Sequence, residues 1–303
     1  MRILIIGGTR FVGLAITREL LRRGHDVTVF HRSDGRPVGT ESARHIKGDR
    51  DSDLHLLQGS EWDAVVDVCA YRPHQVADLA YALNGNVGRF VFISTVSVYA
   101  DQIPSGSDEN AELASVTVLD GLDPATVPID GVTYGPLKVL CEKVVTETFP
   151  AHLIIRPTYV IGPDDYTNRF SHWVERIHSG GIVEVPLPKD ASLQYIDARD
   201  LASFTVDQLE AQTQGAFHVA TPSRGASFGE VIETIASTVG GDDLQLNWIT
   251  VDEALTRADE FPLWNQGEVV TMLEMDTTKA LTAGLQVRAL AETVHDIVHG
   301  REA

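Results

Sequence analysis

Tyr134 and Lys138 stand four residues apart in "VTYGPLKVLCEKVV", a spacing that sets both on one face of a helix. Pro136 falls between them, and an α-helix tolerates proline only in its first turn, so the pair belongs at a helix start. A free phenol titrates at about 10, and a neighbouring ammonium favours its phenolate. Such a pair suits Tyr134 to acid/base work in a carbinol-to-carbonyl interconversion. The spacing alone is common by chance. A second stretch, "RFVFISTVSVYA", is an apolar run that ends in hydroxyls, Ser94 and Thr95 among them. Thr95 is placed to donate to the substrate oxygen that Tyr134 contacts, although strand-end hydroxyls more often satisfy backbone groups.

The elements that must carry these side chains are short β-branched runs at 2–6, 27–31, 44–47, 62–68, 89–94 and 152–156. Most are continuously apolar, the pattern of strands covered on both faces. Between the first two lies "FVGLAITRELLRRG", with apolar residues at 12, 16 and 20 on one helical face and Gly24 placed to end the helix. Repetition of that βαβ unit predicts an α/β fold, a doubly wound parallel sheet. After Arg156 the rhythm breaks: "RPTYVIGPDDYTN" reads as a loop, "RFSHWVERIHSGG" as a helix and "VPLPKD" as a breaker cluster. A strand and helix return in "SLQYIDARDLASFTVDQLEA", a strand in "GAFHVA", and mainly short amphipathic helices follow. The expected organisation is a domain at 1–160, completed by about 191–220, with a smaller discontinuous part at 161–190 and 221–303.

Directly behind the first apolar run comes "GGTRFVG". Gly7 and Gly8 permit a tight turn and close backbone approach, Gly13 lets the helix pack near the sheet, and N–H groups at the helix start face an anion. Strand, glycine loop and helix together predict a dinucleotide site at the carboxyl ends of the strands. An acid near the end of the second strand would take the ribose hydroxyls of NAD; here His31 and Arg32 stand there. Arg32, with Arg10 in the loop itself, can pair with a 2′-phosphate, which favours NADP(H) and leaves NAD(H) possible if Asp34 or a water serves the ribose. Asp49 is placed to touch the adenine or to cap the next helix.

Composition narrows the partners. Lys and Arg number 24 against 43 Asp and Glu, a formal charge of −19 that disfavours nucleic acid. Cys69 and Cys141 fit no metal spacing and read as buried reduced thiols, so no metal is expected. No apolar run approaches the roughly 20 residues of a membrane span, and no signal peptide is evident, so a cytoplasmic setting and a small-molecule substrate are expected. Tyr166, Asn168, Arg169 and Trp173 follow the breaker loop and are the candidate substrate contacts; the competing reading makes Phe170, Trp173 and Val174 a core stripe.

The order "GGTRFVG", "VFISTVSVYA", "YGPLK", "IIRPTYVIGP", "QYIDARDLA" and "DTTKALTAGL" resembles the short-chain dehydrogenase/reductase superfamily. It is most similar to the extended and atypical branches, the NAD(P)-dependent epimerase/dehydratase-like proteins. The resemblance implies a Rossmann fold and a catalytic set of Thr95, Tyr134 and Lys138, with Lys138 holding the nicotinamide ribose and loosening the tyrosine's proton. It implies coenzyme contacts along Gly7, Gly8, Thr9, Arg10, Phe11, Val12 and Gly13, at Cys69, Ala70 and Ser94, and beside the nicotinamide at Pro157, Thr158 and Tyr159. A homodimer through the helices after the fourth and fifth strands is implied too. Arg10 replaces the usual middle glycine, and "DVCAYRP" lacks the frequent His-x-Ala-Ala. The "GGTRF" form recurs in an atypical subgroup that includes proteins likened to isoflavone reductases, sugar dehydratases and chloroplast stem-loop RNA-binding proteins. The leading expectation is an oxidoreductase acting on a carbonyl or carbinol of a small metabolite. The alternative is a nucleotide-sugar epimerase or dehydratase with tightly held NAD, which would need cations from among Arg169, Arg176, Lys189, Arg199 and Arg288. A non-catalytic dinucleotide sensor or RNA-binding protein is the third.

Overall fold

A computed structural model describes residues 1–222, 225–266 and 270–300. Its elements in chain order begin β1 (Arg2–Ile6), α1 (Phe11–Arg22), β2 (Asp26–His31), β3 (Arg44–Lys47), β4 (Trp62–Asp67), α2 (Pro73–Leu83), β5 (Val87–Ile93), α3 (Tyr134–Thr148) and β6 (His152–Pro157). They continue with β7 (Tyr159–Ile161), α4 (Arg169–His178), β8 (Ile182–Pro186), β9 (Tyr195–Asp197), α5 (Ala198–Glu210) and β10 (Gly215–Val219). The last are α6 (Phe228–Val239), β11 (Gln245–Ile249), α7 (Val251–Leu255), α8 (Thr278–Thr282) and α9 (Leu290–His299).

Seven strands form a parallel sheet in the order β10-β6-β5-β4-β1-β2-β3. Burial on both faces explains the continuous apolar runs. In β1, Ile3 and Ile5 join the core shared with Leu20 of α1 and Leu201 of α5, while Leu4 and Ile6 join the core of Val76, Leu79 and Val145 from α2 and α3. The winding reverses at β1, which has β2 on one side and β4 on the other, so the crevice for a ligand opens at their carboxyl ends. Of the six predicted strands, those at 2–6 and 44–47 keep their ends and the other four shift by one or two residues.

A further core gathers Trp173 and Ile177 of α4, Val183 and Val185 of β8, Ile232 of α6 and Val294 of α9. Two elements here overturn the sequence reading. Tyr159–Ile161, read as loop, pairs with β9, and Ile182–Pro186, partly read as a breaker cluster, pairs with β11. Three- and five-residue strands whose partners lie far along the chain leave little local pattern, and Pro and Gly nearby dominate it. Among the described residues no helix is long and apolar enough to cross a membrane.

Candidate active site

The glycine loop is shaped by contacts that leave no room for a Cβ. Gly7 has a positive φ of 85°, and a Cβ there would lie 2.8 Å from Cys69 Sγ. A Cβ on Gly13 would lie 2.2 Å from the Gly7 carbonyl oxygen, so α1 starts hard against the loop. Thr17, one turn further on, fastens it by donating to the carbonyls of Gly8 (2.9 Å) and Gly13 (2.8 Å). Nothing in the motif pointed to Thr17. Arg10 occupies the N-cap without a side-chain hydrogen bond to the helix, leaving the first N–H groups for an anion.

At the other end, α3 begins at Tyr134. A Cβ on Gly135 would meet the Ser97 carbonyl oxygen at 2.1 Å, so only glycine lets the segment after β5 lie against this helix start. That approach brings Thr95 to Tyr134. The Thr95 hydroxyl also accepts from Ser97 N at 3.1 Å, the strand-end role that competed with the catalytic one. Burial pushes the Tyr134 phenol above its ordinary value; a hydrogen bond from Thr95 and the Arg169 guanidinium pull the other way. Lys138 was expected to supply that pull. Its buried ammonium donates to the carbonyls of Ala70 (3.0 Å) and Ile93 (2.8 Å), and burial lowers its own pKa. Two of its three N–H groups are used in this way.

Both ends open into one cavity of about 920 Å³, within the usual size of ligand pockets. The predicted site residues line it with four exceptions: Gly8, Ala70, Asn168 and Trp173. Gly8 sits beneath the loop, where a Cβ would meet Thr17 Oγ1 at 2.5 Å, and Ala70 contributes only its carbonyl to Lys138. Asn168 is the exposed, left-handed N-cap of α4. Trp173 is core: it is 2% exposed, its indole N–H donates to the Pro262 carbonyl at 2.6 Å, and its ring packs on Phe228 and Phe261. The apolar-stripe reading of α4 is the correct one for Trp173.

Arg10 and Arg32 are exposed at the glycine-loop end, with no carboxylate in ion-pair distance among the described residues. Asp34 does not line the cavity and pairs with Lys47. His31 is buried, bonded to Ser33 Oγ and His45 Nδ1 at 2.9 Å each, and burial lowers its pKa toward the neutral form. Asp49 lines the cavity and its carboxylate accepts from Asp51 N at 3.0 Å within the turn that follows β3, while the next helical turn has Asp53 at its N-cap. Sequence reasoning missed Arg50 beside it. That guanidinium makes a buried two-pronged pair with Asp67 at the end of β4, at 2.8 and 3.0 Å, and its Nε lacks a partner. The "KGDRDSD" run contained the signal, but a lone arginine among three aspartates reads as surface.

The cavity fits a dinucleotide on its own features. Ser94 Oγ, Thr158 Oγ1 and Arg50 Nε are buried polar atoms without a partner in its wall, and the glycine cradle would be filled by any Cβ.

A doubly wound parallel sheet with a glycine loop at its switch point defines an α/β protein of the dinucleotide-binding architecture. Residues 1–263 match the RmlD substrate binding domain family, and the chain belongs to that family. It is 27% identical over 221 residues to a chloroplast stem-loop binding protein of 41 kDa from Arabidopsis thaliana, a match covering 67% of this chain and 53% of that one. The chain thus spans about half the length of that relative. It is 25% identical over 259 residues to a protein named probable low-salt glycan biosynthesis reductase from Haloferax volcanii, covering 78% of this chain and 80% of that one. Among solved structures, UDP-glucose 4-epimerase of Thermotoga maritima shares the fold, with a TM-score of 0.72 at 16% identity over 99% of this chain and 98% of that one.

Proposed function

We propose that the chain is an NADP(H)-dependent oxidoreductase that reduces a carbonyl of a small metabolite, with Tyr134 as the proton donor. The observation that carries this reading is the single cavity joining the glycine loop to Thr95, Tyr134 and Lys138. Arg10 and Arg32 would hold the 2′-phosphate, and Asp34, turned to Lys47, is not there to take an unphosphorylated ribose. Lys138 has three N–H groups and gives two to carbonyls, which leaves one for a ribose hydroxyl. When bound, NADPH supplies the hydride. Thr95 and Tyr134 both address the substrate oxygen, and a phenol raised by burial keeps its proton at neutral pH until that oxygen takes it. In the same reading residues 1–160, with about 191–220, hold the coenzyme, while 161–190 and 221–303 close over the substrate through Tyr166, Arg169 and Met272.

Tyr134→Phe tests the assignment. Turnover of NADPH should fall by about 10²- to 10⁴-fold, with affinity for NADPH unchanged in a fluorescence titration. Unchanged turnover would remove Tyr134 from the chemistry. A homodimer joined through α2 and α3 belongs to this reading, and sedimentation would show it as twice the 33.1 kDa chain.

The shared fold of a UDP-glucose 4-epimerase favours a second reading, an epimerase or dehydratase acting on a nucleotide sugar. Of the five cations it would draw on, only Arg169 lines the cavity. Arg176 donates to the Ile182 carbonyl, Lys189 pairs with Glu233, and Arg199 and Arg288 are bound to Asp197 and Asp200. Coenzyme absorbance that survives dialysis would support this alternative. The relative named for stem-loop binding raises RNA as a ligand, which a formal charge of −19 opposes.

A further inference from the structure

Five arginine and lysine side chains line the cavity, and four of them have evident work. Arg50 is bound to Asp67, Lys138 to two carbonyls, and Arg10 and Arg32 flank the glycine-loop end. Arg169 is the fifth. Its Nε donates to Thr167 Oγ1 at 3.2 Å, and its guanidinium lies 5.3 Å from the Tyr159 ring centroid. Among the described residues no carboxylate reaches it within ion-pair distance. The Thr167 hydroxyl that accepts from it donates in turn to Asp165 Oδ1 at 2.6 Å. That relay orients the guanidinium and leaves its terminal N–H groups free to bind. The group is close enough to Tyr134 to oppose the rise of the phenol's pKa, so it belongs to the catalytic end.

The other cation at that end, Lys138, is held by two backbone carbonyls. Val270, Met272 and Leu273 of the C-terminal segment line the same cavity. A diphosphate carries several charges and would call on several cations, whereas one planar guanidinium matches one carboxylate through two parallel hydrogen bonds. In a chain whose overall field repels anions, this arginine is the local feature that would admit one.

We propose that the substrate is a small oxo acid: its carboxylate pairs with Arg169, its apolar body lies against Met272 and Leu273, and its carbonyl meets Thr95 and Tyr134. The proposal rests on the coenzyme-dependent reading above and assigns its substrate class.

The experiment is calorimetric titration of the full chain, saturated with NADP+, with hexanoate and with hexanamide, which differ only at the head group. Hexanoate should bind about tenfold more tightly, the difference a charge-assisted pair supplies. Arg169→Gln should erase that preference, and Arg169→Lys should restore part of it, with NADP+ affinity within about twofold of the original in both. In turnover, 3-oxohexanoate should show a KM about tenfold below that of its methyl ester. Equal binding of acid and amide, no binding of hexanoate, or a preference that survives Arg169→Gln each overturn the proposal. If Arg169→Gln does not fold, the comparison of acid with amide on the unaltered chain decides. Failure to take up NADP+ overturns the coenzyme-dependent reading instead, and is seen before any acid is added.

Discussion

At the glycine-loop end the cavity wall is backbone packed on backbone: a Cβ on Gly13 would stand 2.2 Å from the Gly7 carbonyl oxygen, and Thr17 ties both sides of the turn. At the catalytic end the wall is side chains, with Tyr166, Arg169 and Met272 reaching in from segments that meet only in the fold. The first kind of wall has one solution in shape and almost none in residue type. The second can change its chemistry by substitution while the sheet behind it stays the same, which is how one architecture serves many substrates. The coenzyme end is therefore specified by absence of side chains, and the substrate end by their presence.

The two ends should respond differently to damage, and Trp173→Ala gives the largest expected effect. Trp173 is packed against Phe228 and Phe261 behind the cavity wall, with its N–H on the Pro262 carbonyl. Its removal should cost about 3–5 kcal/mol of stability in denaturant titration. NADPH affinity of the folded protein should stay within about twofold. A coenzyme affinity that falls along with stability would mean that the two ends are not independent. Gly13→Ala is the converse. With backbone on the far side of the contact, nothing can yield, and NADPH affinity should drop by about a hundredfold through displacement of the loop. An affinity within threefold of the original would show that the loop adapts and would break the contrast.

Legibility in the sequence follows the same division. The sheet could be read because strands buried on both faces are continuously apolar, as Ile3 to Ile6 are. Gly7, Gly13, Tyr134 and Lys138 could be read because each answers to local geometry, a tight turn or a helical repeat of four. Thr17 acts through two hydrogen bonds back to Gly8 and Gly13, and Gly135 through one close approach to Ser97, and neither leaves a periodic trace. The β7–β9 and β8–β11 pairs join residues tens of positions apart, and only β9, in "SLQYIDARDLA", carried a strand signal of its own. Lys138 could be set beside Tyr134 by adjacency on the helix; the carbonyls that hold its ammonium belong to β5 and to the loop after β4, which adjacency does not reveal.

The smallest expected effect sharpens the comparison within the coenzyme end itself, because there two side chains remain that backbone shape does not dictate. Arg10 and Arg32 stand exposed, and Arg10 lies 5.7 Å from the Tyr166 ring centroid, so it touches both walls. If each pairs with a 2′-phosphate in water, each contributes a solvent-screened charge-assisted contact, and Arg32→Ala should reduce the preference for NADPH over NADH by about tenfold. Affinity for NADH, which lacks that phosphate, should hardly move. Arg10→Ala should lower both affinities, since its helix-start position also faces the pyrophosphate shared by the two coenzymes. The preference should weaken further as salt is raised, because neither guanidinium is buried. An Arg32→Ala chain that keeps its full preference would move the discrimination elsewhere in the wall, with Arg50 and its unpartnered Nε the next position to vary.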